Sequence, residues 1–324
     1  IAVPYAVKGA REPILLTASI GIAIAPECGN HAEVLISYAQ AAVDLAKQTG
    51  VGTYQFYSNN TGGEVRERRS MVNRLRRAID EGEMSLLYQP KVSLASGQIV
   101  AAEALVRWQD PQSGLIMPAD FIPLAEDAGL IDPLGHKLLL EACQTLRKWQ
   151  VSGMPFLRVA VNVSAREIAR PSFLYDLNAI LDETGVEPDA LELEITESAV
   201  MEAAEDIIRT LRDIRSIGVH LTADDFGTGY ASLSYLRNFP LDGIKIDTTF
   251  VSDIQRPEGG GGLASAVIAV GHCLGMNVVA EGVETQEQLN YLRWRNCDEV
   301  QGYLISEPLT AEKFIDMVRK GPVL

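Results

Sequence analysis

The sequence ALELEIT, at residues 190–196, is followed by the amphipathic stretch DIIRTLRDIRSI at 206–217 and by HLTADD at 220–225. The first and third segments are short and apolar, as expected of strands buried in a parallel sheet. The middle segment places its apolar residues on one side of a helix: Ile207, Ile208, Leu211, Ile214 and Ile217. A strand, a helix and a second strand form one unit of an α/β fold, which we therefore predict.

The same alternation extends over most of the chain. Eight segments are predicted as strands: Ser85–Leu94, Ile99–Trp108, Arg158–Val163, Ala190–Thr196, His220–Asp225, Gly243–Asp247, Asn277–Gly282 and Glu299–Ile305. Four longer helices are predicted between them: Asp132–Gln150, Arg166–Thr184, Asp206–Ile217 and Gly262–Leu274. Eight strands with intervening helices over roughly 250 residues are typical of a TIM-like (β/α)8 barrel. A doubly wound sheet is the alternative, but its glycine-rich turn after a strand is missing, since Gly259–Gly262 does not follow a strand.

A shorter segment precedes the barrel. It contains a predicted strand at Leu15–Ala25, a helix at Ala32–Thr49 and a closing strand at Tyr54–Tyr57. The polar, glycine-bearing run SNNTGGE at 58–64 is typical of a linker. We therefore divide the chain into a small α/β fragment at 1–58, a linker at 59–65 and a barrel domain at 66–324.

The composition is that of an acidic globular protein. Asp and Glu number 43 against 28 Lys and Arg in 324 residues, a formal net charge of −15. This charge repels a phosphate backbone, so we expect no binding to duplex nucleic acid. His272 and Asn277 interrupt the most apolar stretch, so we expect no membrane contact from this chain. Because the chain starts at Ile1 rather than Met, we expect a fragment of a longer protein, whose upstream regions would carry any sensory or membrane part. We expect the fragment itself to be cytoplasmic.

Polar residues stand at the carboxyl ends of the predicted strands. They are Glu103, Asn162, Glu194, Asp224, Asp225, Lys245, Asp247, Glu281 and Gln301. In a barrel these ends meet at one face, where active sites are built. A single acid of this kind is often only a helix cap or a turn residue, but that explanation is much weaker for the whole set. The four cysteines and four histidines are scattered, which argues against a zinc site and a Ser-His-Asp triad.

Oxygen ligands without His or Cys favour hard cations. The number of carboxylates is enough for two Mg²⁺ or Mn²⁺ ions, and the neighbouring acids Asp224 and Asp225 could serve both. Two such ions would clamp the attacking and leaving oxygens of a phosphoryl transfer. The residues therefore predict a metal-dependent reaction at a phosphate group.

Seven motifs occur in order along the barrel segment: EALVRW (103–108), VNVS (161–164), ELEITES (192–198), DDFGTG (224–229), KID (245–247), EGVET (281–285) and QGY (301–303). Together they resemble the EAL family of bacterial cyclic-di-GMP phosphodiesterases, from about Arg66 to Lys320. The resemblance implies that one phosphodiester bond of cyclic-di-GMP is hydrolysed to linear pGpG with Mg²⁺ or Mn²⁺, two ions per site. It also implies a barrel whose first strand is antiparallel to the others, which periodicity alone does not predict.

The resemblance further implies a role for each matching residue. One ion would be held by Glu103, Asn162, Glu194 and Asp224, and the second by Asp224, Asp225 and Glu281. The catalytic group would be Glu103, Asp224, Lys245 and Glu281, with Lys245 on the attacking water and Glu281 as a ligand or a general base. Substrate would face Gln89, Leu105, Arg107, Asp247 and Gln301, with Arg107 on a phosphate and Gln301 also near the water. Glu197 would order the loop that begins at Asp225.

The first segment shows a looser similarity. LTASIGIA (16–23) and YQFY (54–57) resemble the closing third of a GGDEF diguanylate cyclase domain. The GGDEF signature itself is absent from the sequence, and AVDLAK (42–47) departs from the aromatic-bearing helix usual there. Truncation and degeneration would both explain this, and we expect no cyclase activity from the chain.

Two functions stay open at this point. The first is an active cyclic-di-GMP phosphodiesterase. The second is a catalytically silent receptor that binds cyclic-di-GMP and signals to a partner. Silent relatives typically lack some of the ligand residues, whereas all of them are present here, which favours the enzyme. A Mg²⁺-dependent barrel enzyme acting on a carboxylate substrate would leave Arg107 and the Asp225 loop without a purpose. A homodimer is implied by the resemblance only.

Overall fold

The computed structural model describes residues 3–5, 14–26, 28, 31–49, 53–57, 59–197, 199, 205–227, 239–255 and 260–324. The chain divides into two compact units, Ile1–Arg77 and Ala78–Leu324. Each unit has its own sheet structure. Among the residues described, no helix is both long and apolar enough to cross a membrane.

The first unit combines short strands with one long helix. Strands β1 (Val3–Tyr5) and β2 (Ile14–Leu16) pair antiparallel, and β3 (Ile20–Ile22) pairs in parallel with β4 (Tyr54–Phe56). The single strand predicted at Leu15–Ala25 is therefore wrong, because its two halves pair with different partners. Helix α1 spans Ala32–Thr49, as predicted.

Helix α2 spans Asn59–Glu81. Its first turns contain residues 59–65, for which an irregular linker was expected, so this connection is helical. The residues from Glu64 onward are mostly good helix formers, and their propensity outweighs that of the glycines at 62 and 63. Leu75, Ala78 and Ile79 are buried at helical spacing.

The second unit is a closed barrel. Its strands are β5 (Met84–Ser93), β6 (Ile99–Asp110), β8 (Arg158–Asn162), β9 (Leu191–Thr196), β10 (His220–Phe226), β11 (Gly243–Ile246), β12 (Asn277–Ala280) and β13 (Glu299–Val300), and β7 (Gly114–Ile116) forms a hairpin with β6. β5 pairs antiparallel with both β6 and β13, which closes the sheet, and the other barrel strands are parallel. The predicted barrel and its antiparallel first strand are confirmed.

Helices surround the barrel. They are α3 (Pro118–Asp127), α4 (Ile131–Val151), α5 (Ala165–Ile168), α6 (Phe173–Thr184), α7 (Glu205–Ser216), α8 (Thr248–Ser252), α9 (Gly262–Cys273), α10 (Gln286–Trp294) and α11 (Ala311–Arg319). The helix predicted at Arg166–Thr184 is interrupted between α5 and α6, where Pro171 lacks a backbone donor and disfavours helical geometry in the residue before it.

The eighth strand is shorter than predicted. β13 ends at Val300 instead of Ile305. Beyond it the chain turns so tightly that a Cβ atom at Gly302 would lie 2.2 Å from the backbone nitrogen of Val283. The apolar residues that follow Gly302 therefore belong to a turn.

The barrel strands are buried on both faces, the outer one and the inner one. Leu193, Leu221, Ile244 and Val278 are buried in the apolar layer outside the strands. The alternate positions point into the barrel and are polar: Lys91, Glu103, Glu192, Glu194, Thr222 and Lys245 are all buried. The barrel interior thus contains a buried cluster of charged and polar side chains.

The direction of β5 sets where the chain enters the barrel. Its first residue, Met84, pairs with Trp108 near the carboxyl end of β6, whereas Val92 pairs with Ile99 at the start of β6. At the other face, the backbone nitrogen of Val323 donates to the carbonyl of Gly97 over 2.8 Å, in the turn between β5 and β6.

Candidate active site

Carboxylates from four strands gather at the carboxyl-end face. Their oxygens form two overlapping groups, Glu103 with Glu194 and Asp224, and Asp224 with Asp225 and Glu281. Within each group the oxygens lie within 4.8 Å of one another. Asp224 belongs to both groups. The structure thus brings together the carboxylates of the two implied ligand sets.

A local irregularity lets two successive acids face this site. Neighbouring residues of a regular strand point to opposite faces. The β10–β11 register shifts between Ala223 and Phe226, and Asp225 has a φ of 55°. Its backbone nitrogen donates to Oδ1 of Asp224 over 2.9 Å. The bulge therefore turns Asp225 toward the side that already carries Asp224.

Two amides complete the donor set. The side-chain nitrogen of Asn162 donates to Glu103 Oε1 over 2.8 Å, which leaves the amide oxygen for a cation. The side-chain nitrogen of Gln301 donates to Glu103 Oε2 over 2.5 Å and to Glu281 Oε1 over 3.3 Å. The Oε1 atom of Gln301 is buried and has no hydrogen-bond partner among the described residues. An orphaned oxygen beside clustered carboxylates fits a site for a divalent cation and water.

Lys245 lies in the middle of the carboxylates. Its ammonium nitrogen is 2.6 Å from Glu281, 2.8 Å from Glu194, 3.2 Å from Asp224 and 3.3 Å from Glu103. Burial alone would lower the pKa of Lys245, but the surrounding carboxylates raise it well above its usual value. The side chain therefore keeps its proton.

The carboxylates differ in how they respond to this environment. Burial opposes ionisation of Glu103, yet Lys245 and Lys91 lower its pKa to about 2. Burial and the neighbouring Glu103 raise the pKa of Glu194 well above its usual value. Burial, against the pull of Lys245, raises the pKa of Glu281 to about 7. The raised pKa values of Glu194 and Glu281 indicate that the carboxylates, if all were ionised, would carry more negative charge than Lys91 and Lys245 balance.

Glu197 holds the turn that follows β10. Its Oε2 atom accepts a hydrogen bond from the backbone nitrogen of Gly227 over 2.5 Å. Gly227 has a φ of 100°, and a Cβ atom there would lie 2.3 Å from the ring of Phe250. The loop-ordering role of Glu197 stays a prediction, since residues 228–238 lie outside the described part of the chain.

An open cleft of about 420 Å³ adjoins the carboxylates. It is lined by Gln89, Glu103, Leu105, Asn162, Asp224, Glu281 and Gln301 from the predicted site, and also by Thr248, Gly282, Glu284, Gly302 and Tyr303. Tyr303 is the aromatic residue of this lining, and 62% of its surface is exposed. Tyr303 stands in the QGY motif, so its position beside Gln301 was a signal for a role at the cleft.

Two predicted substrate residues do not line this cleft. The guanidinium of Arg107 donates to the carbonyl of Val106 over 2.8 Å. Asp247 caps α8, where its carboxylate accepts from the backbone nitrogen of Thr249 over 2.9 Å. Contacts of Arg107 and Asp247 with substrate stay predictions.

Sequence reasoning missed a buried pair below the site. The ammonium nitrogen of Lys91 lies 3.0 Å from Glu192 and 2.6 Å from Glu194. A lysine inside the apolar strand YQPKVSL (88–94) was the available signal. Glu192, two residues before Glu194, shares its side of β9.

Comparison with known proteins agrees with this geometry. Residues 72–308 match the EAL domain family. Cyclic di-GMP phosphodiesterase NbdA of Pseudomonas aeruginosa is 40% identical over 316 residues, which cover 98% of this chain and 40% of NbdA. Cyclic di-GMP phosphodiesterase PdeR of Escherichia coli is 37% identical over 301 residues, which cover 93% of this chain and 45% of PdeR. The chain spans less than half the length of these relatives.

A solved structure extends the match to the fold. The PaMucR phosphodiesterase in complex with c-di-GMP superposes with a TM-score of 0.73 and 38% identity, over 76% of this chain and 99% of that one. The family match covers most of the barrel, and the matched residues include all of the clustered carboxylates. On these grounds the chain belongs to the EAL domain family.

Proposed function

We propose that the chain hydrolyses one phosphodiester bond of cyclic-di-GMP to give linear pGpG. One observation carries this proposal: two clusters of three carboxylates share Asp224 at the edge of an open cleft. Two relatives of the chain are named cyclic di-GMP phosphodiesterases. The cleft volume of about 420 Å³ suits a ligand of nucleotide size.

The proposal includes two divalent ions, Mg²⁺ or Mn²⁺. Glu103, Asn162, Glu194 and Asp224 would hold one, and Asp224, Asp225 and Glu281 the other. Six carboxylates, counting Glu192, share this interior with the two ammonium groups of Lys91 and Lys245. Two divalent cations would balance the remaining negative charge. When bound, such ions stabilise the charge that develops on the phosphoryl oxygens.

The protein's own residues would place and activate the attacking water. Lys245 keeps its proton, so it orients the water as a hydrogen-bond donor at Nζ rather than as a base. The unpartnered Oε1 of Gln301 would accept a hydrogen bond from the same water. Glu281 would serve as a ligand of the second ion or as a general base, and in the metal-free chain its pKa is raised to about 7.

The cleft residues would bind the rest of the substrate. Gln89 and Leu105 line the cleft beside Glu103 and would face the nucleoside parts. Tyr303 presents an exposed aromatic ring at the same cleft, which suits stacking on a base. Arg107 would contact a phosphate and Asp247 a nucleoside through side-chain atoms other than the Nη1 and Oδ1 atoms that bond Val106 and Thr249.

The decisive experiment is turnover of cyclic-di-GMP by the 324-residue chain in Mn²⁺, with pGpG followed by chromatography. We expect pGpG to form, and chelation by EDTA to stop the reaction. A matched reaction with the Glu103→Ala variant controls for contaminating hydrolases. Tight binding of cyclic-di-GMP without pGpG would overturn the enzyme and support the silent receptor.

Two further properties are proposed with this function. A bacterial second messenger as substrate implies a cytoplasmic location, which fractionation of the parent cells would test. The homodimer implied by the family stays a prediction, which sedimentation of the purified chain would test.

A further inference from the structure

A column of alternating charges runs from the site into the barrel. Glu194 contacts Lys245 at the site and Lys91 below it. Lys91 also contacts Glu192, which accepts a hydrogen bond from the hydroxyl of Thr222 over 2.8 Å. Glu192 lies two residues earlier in β9, so it is about 6.6 Å deeper along the strand. The column thus connects Glu194 to the middle of the barrel.

The two oxygens of Glu194 are held by different ammonium groups. Oε1 accepts from Lys91 over 2.6 Å, and Oε2 accepts from Lys245 over 2.8 Å. Lys245 forms ion pairs with four carboxylates, whereas among the described residues Lys91 forms ion pairs with Glu194 and Glu192 only. Lys91 is a residue of the antiparallel strand β5, and its side chain is fully buried. The orientation of the Glu194 carboxylate therefore depends on Lys91.

Lys91 is itself fixed from below. Glu192 is buried and forms an ion pair with Lys91 over 3.0 Å. Thr222 and Lys91 both bind Glu192 Oε1. An ionised, hydrogen-bonded Glu192 holds the lysine in place because moving the ammonium would leave a buried charge unpaired.

We infer that Lys91 is a positioning residue for Glu194: it binds Oε1 and so turns Oε2 toward Lys245 and the other carboxylates, where a divalent ion would be held. This inference rests on the proposed function. Partners of this kind, which orient a ligand without touching the metal, typically change metal affinity by about 10–100-fold when they are removed.

The test is the affinity of the whole 324-residue chain for Mn²⁺, measured by calorimetry on wild type and on Lys91→Met. Positioning predicts at least about tenfold weaker binding in the variant. A role through charge alone predicts the opposite sign, because removal of an ammonium beside a cation site favours the cation. Unchanged or tighter binding by the folded variant would overturn the inference.

A second variant covers the event that Lys91→Met does not fold. Lys91→Met with Glu192→Gln replaces a buried ion pair by a neutral pair and keeps the net charge of the barrel interior. It should bind Mn²⁺ at least about tenfold more weakly than wild type, and wild-type affinity in it would equally overturn the inference. Circular dichroism and thermal unfolding without metal verify that each variant is folded.

A matched control breaks another barrel ion pair. Arg215 and Asp242 pair over 2.9 Å, and Asp242 directly precedes β11, at the amino ends of the strands. Arg215→Gln should lower stability but leave the Mn²⁺ affinity within about threefold of wild type, because the pair lies at the opposite end of the strands from the carboxylates. If wild type itself does not bind Mn²⁺, the proposed function fails; if all variants bind like wild type, only the role of Lys91 fails.

Discussion

The ammonium nitrogen of Lys245 lies 2.6 Å from Oε1 of Glu281, the shortest of its four contacts with carboxylates. Lys245 sits within β11, whereas Glu281 follows the last residue of β12. The pairing brings a positive charge against a carboxylate whose pKa burial raises to about 7. Proton uptake, metal binding and charge balance are therefore coupled at this pair.

The first prediction concerns pH. The pKa of Glu281 is raised from 4.5 to about 7 by burial, against Lys245, so the folded metal-free chain binds this proton more tightly than the unfolded chain. The stabilisation is present below pH 4.5 and is lost as the pH rises through about 7. A cation competes with the same proton. The Mn²⁺ affinity should therefore rise by up to about tenfold for each unit by which the pH increases toward 7.

Calorimetric titrations with Mn²⁺ across this pH range would measure the effect. Glu281→Gln cannot titrate at this position, so it should bind weakly and with a flatter pH dependence. An equally steep dependence in the variant would assign the proton to another group.

The second prediction concerns Glu103. Its carboxylate accepts from Asn162, Gln301 and Lys245 and belongs to one of the two ligand groups. Glu103→Ala should lower turnover by more than about 100-fold, since it removes a ligand rather than an outer partner. The fold should persist, as judged by circular dichroism. A folded variant with near-normal turnover would contradict the assignment.

The third prediction separates the two ions. Asp224 belongs to both carboxylate groups and Asp225 to one. Asp224→Asn should therefore lose both bound Mn²⁺ ions, whereas Asp225→Asn should lose one. Asn tolerates the positive φ of residue 225, so the second variant keeps the bulge. Native mass spectrometry would count the ions, and two ions retained in Asp224→Asn would exclude bridging by this residue.

The fourth prediction concerns the Glu197 contact with Gly227. Glu197→Ala removes the acceptor and should loosen the turn after Asp225, with turnover reduced by about 10–100-fold. Glu197→Gln keeps an acceptor oxygen and should retain more activity than the alanine variant. Steady-state assays on both variants would test this, and equal losses would show that the negative charge matters more than the hydrogen bond.

The fifth prediction concerns stability. A Cβ atom at Gly302 would meet the backbone of Val283, which has no room to move. Gly302→Ala should therefore lower the free energy of unfolding by about 1–3 kcal/mol, as overpacking does. Gly262, at the start of α9, has open space around it, and Gly262→Ala is the matched control. Urea unfolding would compare them, and equal stability of the two variants would show that the turn can relax.

The barrel was predictable because its signal repeats. Most of the apolar strands are followed by an amphipathic helix, so an error at one boundary leaves the count of strands intact. The last strand shows where this reasoning fails. Residues beyond Gly302 are apolar enough for a strand, but a turn against Val283 ends β13 at Val300. Such close backbone contacts join distant positions and leave no periodic pattern.

The site was predictable at its upper layer only. Glu194 follows from strand-end position, since parallel strands finish at one face. Lys91 and Glu192 lie 101 residues apart and meet across the barrel from an antiparallel strand and a parallel one. Their pairing depends on side-chain reach through the interior, which strand counting does not supply. The left-handed backbone at Asp225 is likewise a three-dimensional property.

The inverted first strand has a practical consequence for building on this protein. Gly82 and Glu83 alone separate α2 from β5, whose first residue stands at the carboxylate face. A change in the length of this connection would therefore act at the face that carries the carboxylates. A tag added after Leu324 would be attached at the opposite face of the barrel, beside Gly97, and would leave the cleft open.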